Sequence, residues 1–307
     1  MDISSILQQY SKLFLERYES QLLPSHRRAL DAMLACKKSC GEVHTQCTNC
    51  KDQNIYPLSC GHRSCPKCQN SDTTAWVERQ SDKLLPVPYF MVTFTIPYEL
   101  RQLAWQHQSI FYSAFFDASV DTLKTLGLDN KHLGANLGFT GVLHTHSRRL
   151  DYHPHIHFIV PGGGITKTKK SQAFKQVSND YFIRGDVIAK LFRGKLIYKL
   201  LEYDLKIPQT PSEWVVNVEH VGKGKPAIQY LSRYLYRGVI REPNIIGNHN
   251  GKITFLFTNS DTNKVEPKEL DAEEFIWKLL THVLPRGFRS VRDFGFLHPN
   301  AKKKLRL

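Results

Sequence analysis

The chain has 307 residues and no run of 18 apolar ones, so no transmembrane helix is expected. Met1–Ser5 lacks a basic stretch feeding into an apolar run, which argues against a secretory signal. A cytoplasmic location, nucleoid-associated if the partner is DNA, is the default expectation. Internal repeats and low-complexity segments are absent too, which speaks against a solenoid or a disordered array. Cysteine is absent after Cys68: all seven lie between Cys36 and Cys68. An odd, clustered set without a secretory signal argues for metal rather than disulfides. Acidic residues are scarce, 28 against 42 Lys and Arg, giving a formal charge of +14. That excess favours a polyanionic partner, nucleic acid first and an anionic membrane surface second.

What is present reads as one large domain or two modest ones. Residues 5–36 have helical apolar spacing (Leu7, Tyr10, Phe14, Tyr18). Residues 36–69 are loop-rich, and 72–84 resemble a linking helix. Tyr89–Ile96 is a strong strand ended by Pro97, and a long amphipathic helix follows over about 98–126. Gly138–His144 and His155–Val160 read as two further strands, with Pro161-Gly-Gly-Gly164 ending the second. Asp186 is a candidate cap for a helix to about Glu202. Residues 213–219 and 252–257 read as strands, and residues 271–283 as a helix. A helix is also expected to start near Pro226. The fold class is therefore α+β: helices and a zinc-binding module over 1–84, then a domain over 85–307 with a central antiparallel sheet flanked by helices.

Cys47-x-x-Cys50 and Cys65-x-x-Cys68 are two knuckles, each setting two thiolates in one tight turn. Together they supply the four ligands of a closed, structural zinc. Cys36, Cys40, His44, Cys60 and His62 are candidate ligands for a second zinc, or else core cysteines and surface histidines. Such a module lacks core and can draw folding energy from metal. Lys51, Arg63 and Lys67 make DNA contact by it plausible.

His153-Pro-His155-Ile-His157 is the second strong pattern. Residues two apart on a strand share a face, so His155 and His157 point the same way, about 6.6 Å apart along the backbone. That suits one divalent ion. His153 shares the face but sits about 13 Å from His157, too far for the same ion. A third ligand must come from a neighbouring strand: His144, or in its stead His146 or Asp151.

Tyr230-Leu-Ser-Arg-Tyr234 places two phenols one helical turn apart, with Tyr236 on another face. Arg233, Arg237, Lys223 and Lys225 lie close in sequence and are candidate DNA contacts. A tyrosine attacks phosphorus when its proton is removed and the phosphate is polarised by metal. Without the other motifs, the pair would read as aromatic packing. Arg148, Arg149, Lys167, Lys169 and Lys170 are further candidates for backbone contact, or a merely solvated charge run.

The ordered set resembles the two-tyrosine HUH transposases of rolling-circle insertion sequences that carry an N-terminal zinc-binding region. The matching segments are Cys47 to Gln69, Leu85-Pro-Val-Pro-Tyr-Phe90, Lys131-His-Leu-Gly134, Gly138 to Thr145, His153 to Gly164, Leu191-Phe-Arg-Gly-Lys195, Tyr230 to Arg237 and His282-Val-Leu-Pro-Arg-Gly-Phe288. They run in family order from about 24 to 300. The resemblance implies that His155 and His157 are metal ligands with His144 as the third, and that Tyr230 and Tyr234 are nucleophiles. It implies Mg2+ or Mn2+ at the histidines and one or two Zn2+ at the cysteines. It also implies single-stranded DNA as partner, as hairpin-bearing element ends, with no small-molecule substrate. Ser64 departs from the family, which often has histidine there. Two other readings remain at this stage: a replication initiator or relaxase-type nickase, and a non-catalytic zinc-containing nucleic-acid binder.

Overall fold

A proline decides where the first helical stretch breaks. Helix α1 (Ile3–Tyr18) is capped by Asp2, whose carboxylate accepts the Ser5 N–H at 2.7 Å. Pro24 occupies the first turn of α2 (Pro24–Ala35), where its missing N–H costs nothing and its fixed φ suits the start of a helix. The structure, a computed structural model, describes residues 2–65, 67–68, 70–167, 172–177, 182–224, 226, 228–229, 239–259 and 262–301.

The chain folds as two compact units that interleave in sequence. The first comprises residues 1–75, 146–152 and 236–286, and the second 76–145, 153–235 and 287–307. A single cut at residue 84, as read from the sequence, separates the cysteines from the histidine strand but misses this return of the chain.

In the first unit, α1 and α2 bury Ile6, Leu7, Phe14, Leu30 and Met33 in one core. That core also holds Phe275, Ile276 and Leu280 of α7 (Ala272–Leu280) and Ile253, Phe255 and Phe257 of β10 (Lys252–Thr258). Strand β10 is the middle of a three-stranded antiparallel sheet between β9 (Ile245–His249) and β11 (Val265–Asp271). The β9–β10 turn is Asn250-Gly251, both with positive φ (51° and 76°), the pairing a two-residue hairpin requires. The same core includes Cys36 and Cys65. Between them, β1 (Glu42–Gln46) and β2 (Gln53–Pro57) form an exposed hairpin within the segment read as loop-rich.

In the second unit, five strands run in the order β12-β4-β5-β3-β8. They are β3 (Tyr89–Thr95), β4 (Phe139–His146), β5 (Tyr152–Pro161), β8 (Val216–His220) and β12 (Val291–Phe294). The β3–β5, β3–β8 and β12–β4 ladders are antiparallel, and the five-residue link 147–151 makes β4–β5 antiparallel as well. A small hairpin, β6 (Gly163–Lys167) with β7 (Gln172–Gln176), follows β5. Expected as one helix, residues 98–126 are a 3-10 turn (Tyr98–Leu100), α4 (Arg101–Gln106) and α5 (Gln108–Leu128). Helix α3 (Asn70–Ser81) precedes the sheet, and α6 (Gly185–Glu202) follows β7. The α6 cap position is Arg184, not Asp186, which lies within the first turn and pairs with Arg184 at 2.8 Å.

The two faces of this sheet differ in chemistry. Phe94, Phe139 and Phe158 point to one face and meet Phe116 of α5 and Phe192 of α6. Gly141 is required there, since a Cβ would lie 2.4 Å from the Phe158 ring. The register pairs Thr93 with His157 and Thr95 with His155. Side chains alternate across a strand, so these residues face away from the phenylalanine layer.

Candidate metal centres

The central strands of the second unit position three imidazoles. His144 on β4 and His155 and His157 on β5 have ligand nitrogens within 4.8 Å of one another. Their ring centroids are 5.3 Å (144–155), 4.7 Å (144–157) and 4.8 Å (155–157) apart. His144 and His157 are 5 % and 8 % exposed, so the trio sits in the sheet rather than on a mobile loop.

Hydrogen bonds orient the rings. The Nδ1 of His155 lies 2.7 Å from the His153 carbonyl, which can only accept, so Nδ1 carries the proton and Nε2 keeps its lone pair. Thr93 Oγ1 lies 2.8 Å from the Nδ1 of His157 and occupies that nitrogen, again leaving Nε2 toward the shared centre. Burial, assisted by Arg101 and opposed by the His153 carbonyl, lowers the His155 pKa, favouring the neutral ring a metal needs. His153 stands outside the trio, as its spacing suggests: its Nδ1 accepts a hydrogen bond from Arg101. Thr93 and Arg101 were not legible as site residues, because only the β3–β5 register reveals the first and only the turn after Pro97 the second.

His146 and Asp151, the alternative third ligands, belong to the first unit. There His146 lies against His282 (5.2 Å) and Asp151 pairs with Lys278 (2.9 Å). Tyr230, Tyr234, Arg233, Arg237 and Lys225 lie outside the described residues. Lys223 is exposed, as are Arg148 and Arg149, and Arg149 packs its guanidinium 5.2 Å above the Phe257 ring. Of the basic run after β6, residues 168–171 also lie outside the described residues.

The cysteines assemble differently from the paired-knuckle expectation. Cys65 and Cys68 meet Cys36 and Cys60, not Cys47 and Cys50; these four sulfurs lie within 4.8 Å of one another. Cys36–Cys68 and Cys60–Cys68 are 3.5 and 3.6 Å apart. Tetrahedral Zn–S bonds of about 2.3 Å put sulfurs about 3.8 Å apart, so the cluster fits zinc. The physical reason for the exchange is the hairpin. Its ladder runs from Glu42–Pro57 to Gln46–Gln53, which carries Cys47 and Cys50 to its tip, about 17 Å from its base. Meanwhile the Lys37 N–H donates to the Leu58 carbonyl (3.2 Å), drawing Cys36 toward Cys60. None of Cys40, His44 and His62 joins the four: Cys40 donates to the Ala35 carbonyl, His44 lies beside Glu42, and His62 Nδ1 accepts from the Ser64 N–H. Burial raises Cys60 to about 11, whereas in Cys68 burial is outweighed by contacts from Cys36, Cys60 and Cys65, which bring it down to about 7. Arg63, between these ligands, donates to the Leu284 and Pro285 carbonyls at 2.9 and 2.7 Å; Lys51 is exposed and Lys67 half-buried.

Comparison with known proteins agrees with a zinc-binding cysteine cluster. Residues 6–96 match the family described as "Transposase zinc-binding domain", and residues 138–304 match the family described as "Putative transposase". The chain is 30 % identical to "Putative transposase y4qJ" of Sinorhizobium fredii, over 96 % of this chain and 80 % of that protein. It is 28 % identical to the "Transposase for insertion sequence element IS801" of Pseudomonas savastanoi pv. phaseolicola, over 86 % of this chain and 68 % of that one. Among solved structures, a conjugative relaxase TrwC in complex with oriT DNA aligns over 65 % of this chain and 66 % of that chain, with 15 % identity and a TM-score of 0.33, a level at which no geometry carries over. No described helix is long and apolar enough to cross a membrane. With a zinc-binding domain at its N-terminal end and a transposase domain over most of the remainder, the chain belongs to the insertion-sequence transposase family.

Proposed function

We propose that this transposase nicks and joins single-stranded DNA at element ends through a covalent 5′-phosphotyrosine, as rolling-circle transposition requires. The observation that carries the reading is the convergence of His144, His155 and His157, oriented by Thr93 and the His153 carbonyl. Three nitrogen ligands leave room for a phosphate oxygen, which four thiolates do not. A bound Mn2+ or Mg2+ supplies Lewis acidity toward the scissile phosphate. Imidazoles suit a transition ion better than Mg2+, which prefers oxygen ligands, so Mn2+ is expected to act at lower concentration.

The chain's own residues do the rest. The phenol oxygen of Tyr230 or Tyr234 forms a bond to phosphorus while the bond from phosphorus to the 3′-oxygen breaks. The phenol gives up its proton and the departing 3′-oxygen gains one, leaving a 3′-hydroxyl. The second tyrosine repeats the exchange on another strand. One phosphodiester replaces another, so no external energy source is needed. Ile228, two residues before Tyr230, is buried with Thr140 and Ile159, which lie on the histidine side of the sheet.

The test is a denaturing protein gel of labelled single-stranded element ends incubated with Mn2+ or Mg2+. A covalent adduct is expected in wild type, lost in the Tyr230→Phe/Tyr234→Phe double variant and in His157→Ala. Cleavage that survives the double variant would overturn tyrosine as nucleophile, and the absence of any adduct on an end known to be bound would overturn the catalytic reading.

A further inference from the structure

Beside the histidine trio, the turn that ends β3 presents an aromatic ring and a fixed cation. Tyr98 is 75 % exposed, more than any other large hydrophobic or aromatic side chain among the described residues. The Arg101 guanidinium carbon lies 5.1 Å from the Tyr98 ring centroid and covers it in part. Arg101 is itself anchored by donating to His153 Nδ1. The His153 ring lies 5.4 Å from that of His155, a member of the trio. The backbone fixes this placement. Thr95 pairs with His155 in the ladder, Pro97 ends the strand, and Tyr98 opens the 3-10 turn that leads into Arg101. A planar ring, a stacked guanidinium and an imidazole anchor are thus joined by contact to the site that would hold the scissile phosphate.

We propose that Tyr98 and Arg101 form a nucleotide platform for single-stranded DNA. Tyr98 stacks on the base flanking the phosphate at the trio, and Arg101 pairs with the adjoining backbone. The inference rests on the single-strand reading above, but it concerns binding rather than bond breakage. Aromatic stacking tolerates any base and is unavailable in an intact duplex, whose bases are already stacked. A guanidinium against phosphate adds a salt-sensitive share that stacking lacks. His153, which spacing alone leaves without a role, becomes the residue that positions Arg101.

The experiment is fluorescence anisotropy of a labelled mixed-sequence single strand with full-length protein, without added divalent ions, repeated over a salt series and on the matching duplex. Tyr98→Ala is expected to weaken single-strand binding roughly 5- to 100-fold, from the usual worth of one stacked base. It should leave duplex binding and the salt slope unchanged, and Tyr98→Trp should restore affinity. Arg101→Ala should weaken binding and reduce the logarithmic salt slope by about one. Tyr98 is exposed enough that its variants fold, so a Tyr98→Ala protein binding single strands like wild type would overturn the platform. Equal loss on single strand and duplex would overturn it as well. Either result leaves the adduct test untouched, and failure of the adduct test leaves this binding test readable.

Discussion

The cysteine cluster and the histidine trio are both sets of ligands brought together by folding, yet they are built in opposite ways. Cys36 ends a helix, while Cys60, Cys65 and Cys68 come from loops; four sulfurs close the coordination shell, and Cys36 and Cys65 are also part of an apolar core. The trio comes from adjacent strands of one sheet, uses three nitrogens and backs onto a layer of phenylalanines that does not depend on it. The first arrangement makes metal part of the fold. On the proposed reading, the second makes the fold a rigid holder for an exchangeable ion. Disrupting the first should cost stability, and disrupting the second should cost chemistry.

The largest effect expected is at the closed site. Cys36→Ser or Cys60→Ser should release zinc, measured with a chromogenic chelator, and unfold the first unit. Zinc binding in such modules is worth on the order of 10 kcal/mol, comparable to the stability of a whole domain. Cys47→Ser and Cys50→Ser, at the exposed hairpin tip, should shift the melting temperature by less than the equivalent of about 0.5 kcal/mol. Equal losses from all four would break the distinction drawn between the cluster and the tip.

Next comes the orientation of the trio. Thr93→Val removes the hydroxyl facing His157 Nδ1 and should weaken metal binding about 10- to 100-fold while thermal stability stays near wild type. A titration followed by Mn2+ paramagnetic resonance would measure it. A smaller effect tests the holder itself. Gly141→Ala sets a methyl group 2.4 Å from the Phe158 ring and should cost about 1–3 kcal/mol in urea unfolding.

The pH response of the first unit refines the comparison further. Burial holds the His26 pKa at about 4, below its usual 6.5. The unfolded chain therefore binds the proton more readily than the folded one. The stability tied to neutral His26 is fully present above about pH 6.5 and is lost as pH falls through about 4, on the order of 3 kcal/mol in all. Urea midpoints at pH 7 and pH 4.5 should converge less steeply in His26→Gln than in wild type; identical slopes would remove His26 from the account.

How legible each region was in the sequence follows from the same contrast. A strand has a fixed period of two, so His155 and His157 could be assigned to one face, and His153 set apart by distance, before any coordinates. Loops have no such period. Two CxxC knuckles in sequence looked like one site because nothing in their spacing announces that β1 and β2 pair and carry one knuckle away. That pairing has weak local signals, since all ten strand residues are exposed. By contrast, Asn250-Gly251 is a strong hairpin signal that would have placed β9 against β10. The α+β class and the central sheet followed from alternating apolar strands such as Tyr89–Thr95. The interleaving of the units did not, because it depends on contacts between α1 and α7, some 250 residues apart. Thr93 and Arg101 belong to the same category: each is defined by its neighbour across a ladder or turn.

The most direct test of the central claim is Mn2+ binding to the zinc-loaded protein, followed by paramagnetic resonance, in wild type and His157→Ala. The account predicts one Mn2+ site in wild type that disappears in His157→Ala while the zinc content and melting temperature stay unchanged. Mn2+ binding that is the same in both proteins would contradict it, and the three histidines would then be a structural feature of the sheet rather than a metal centre.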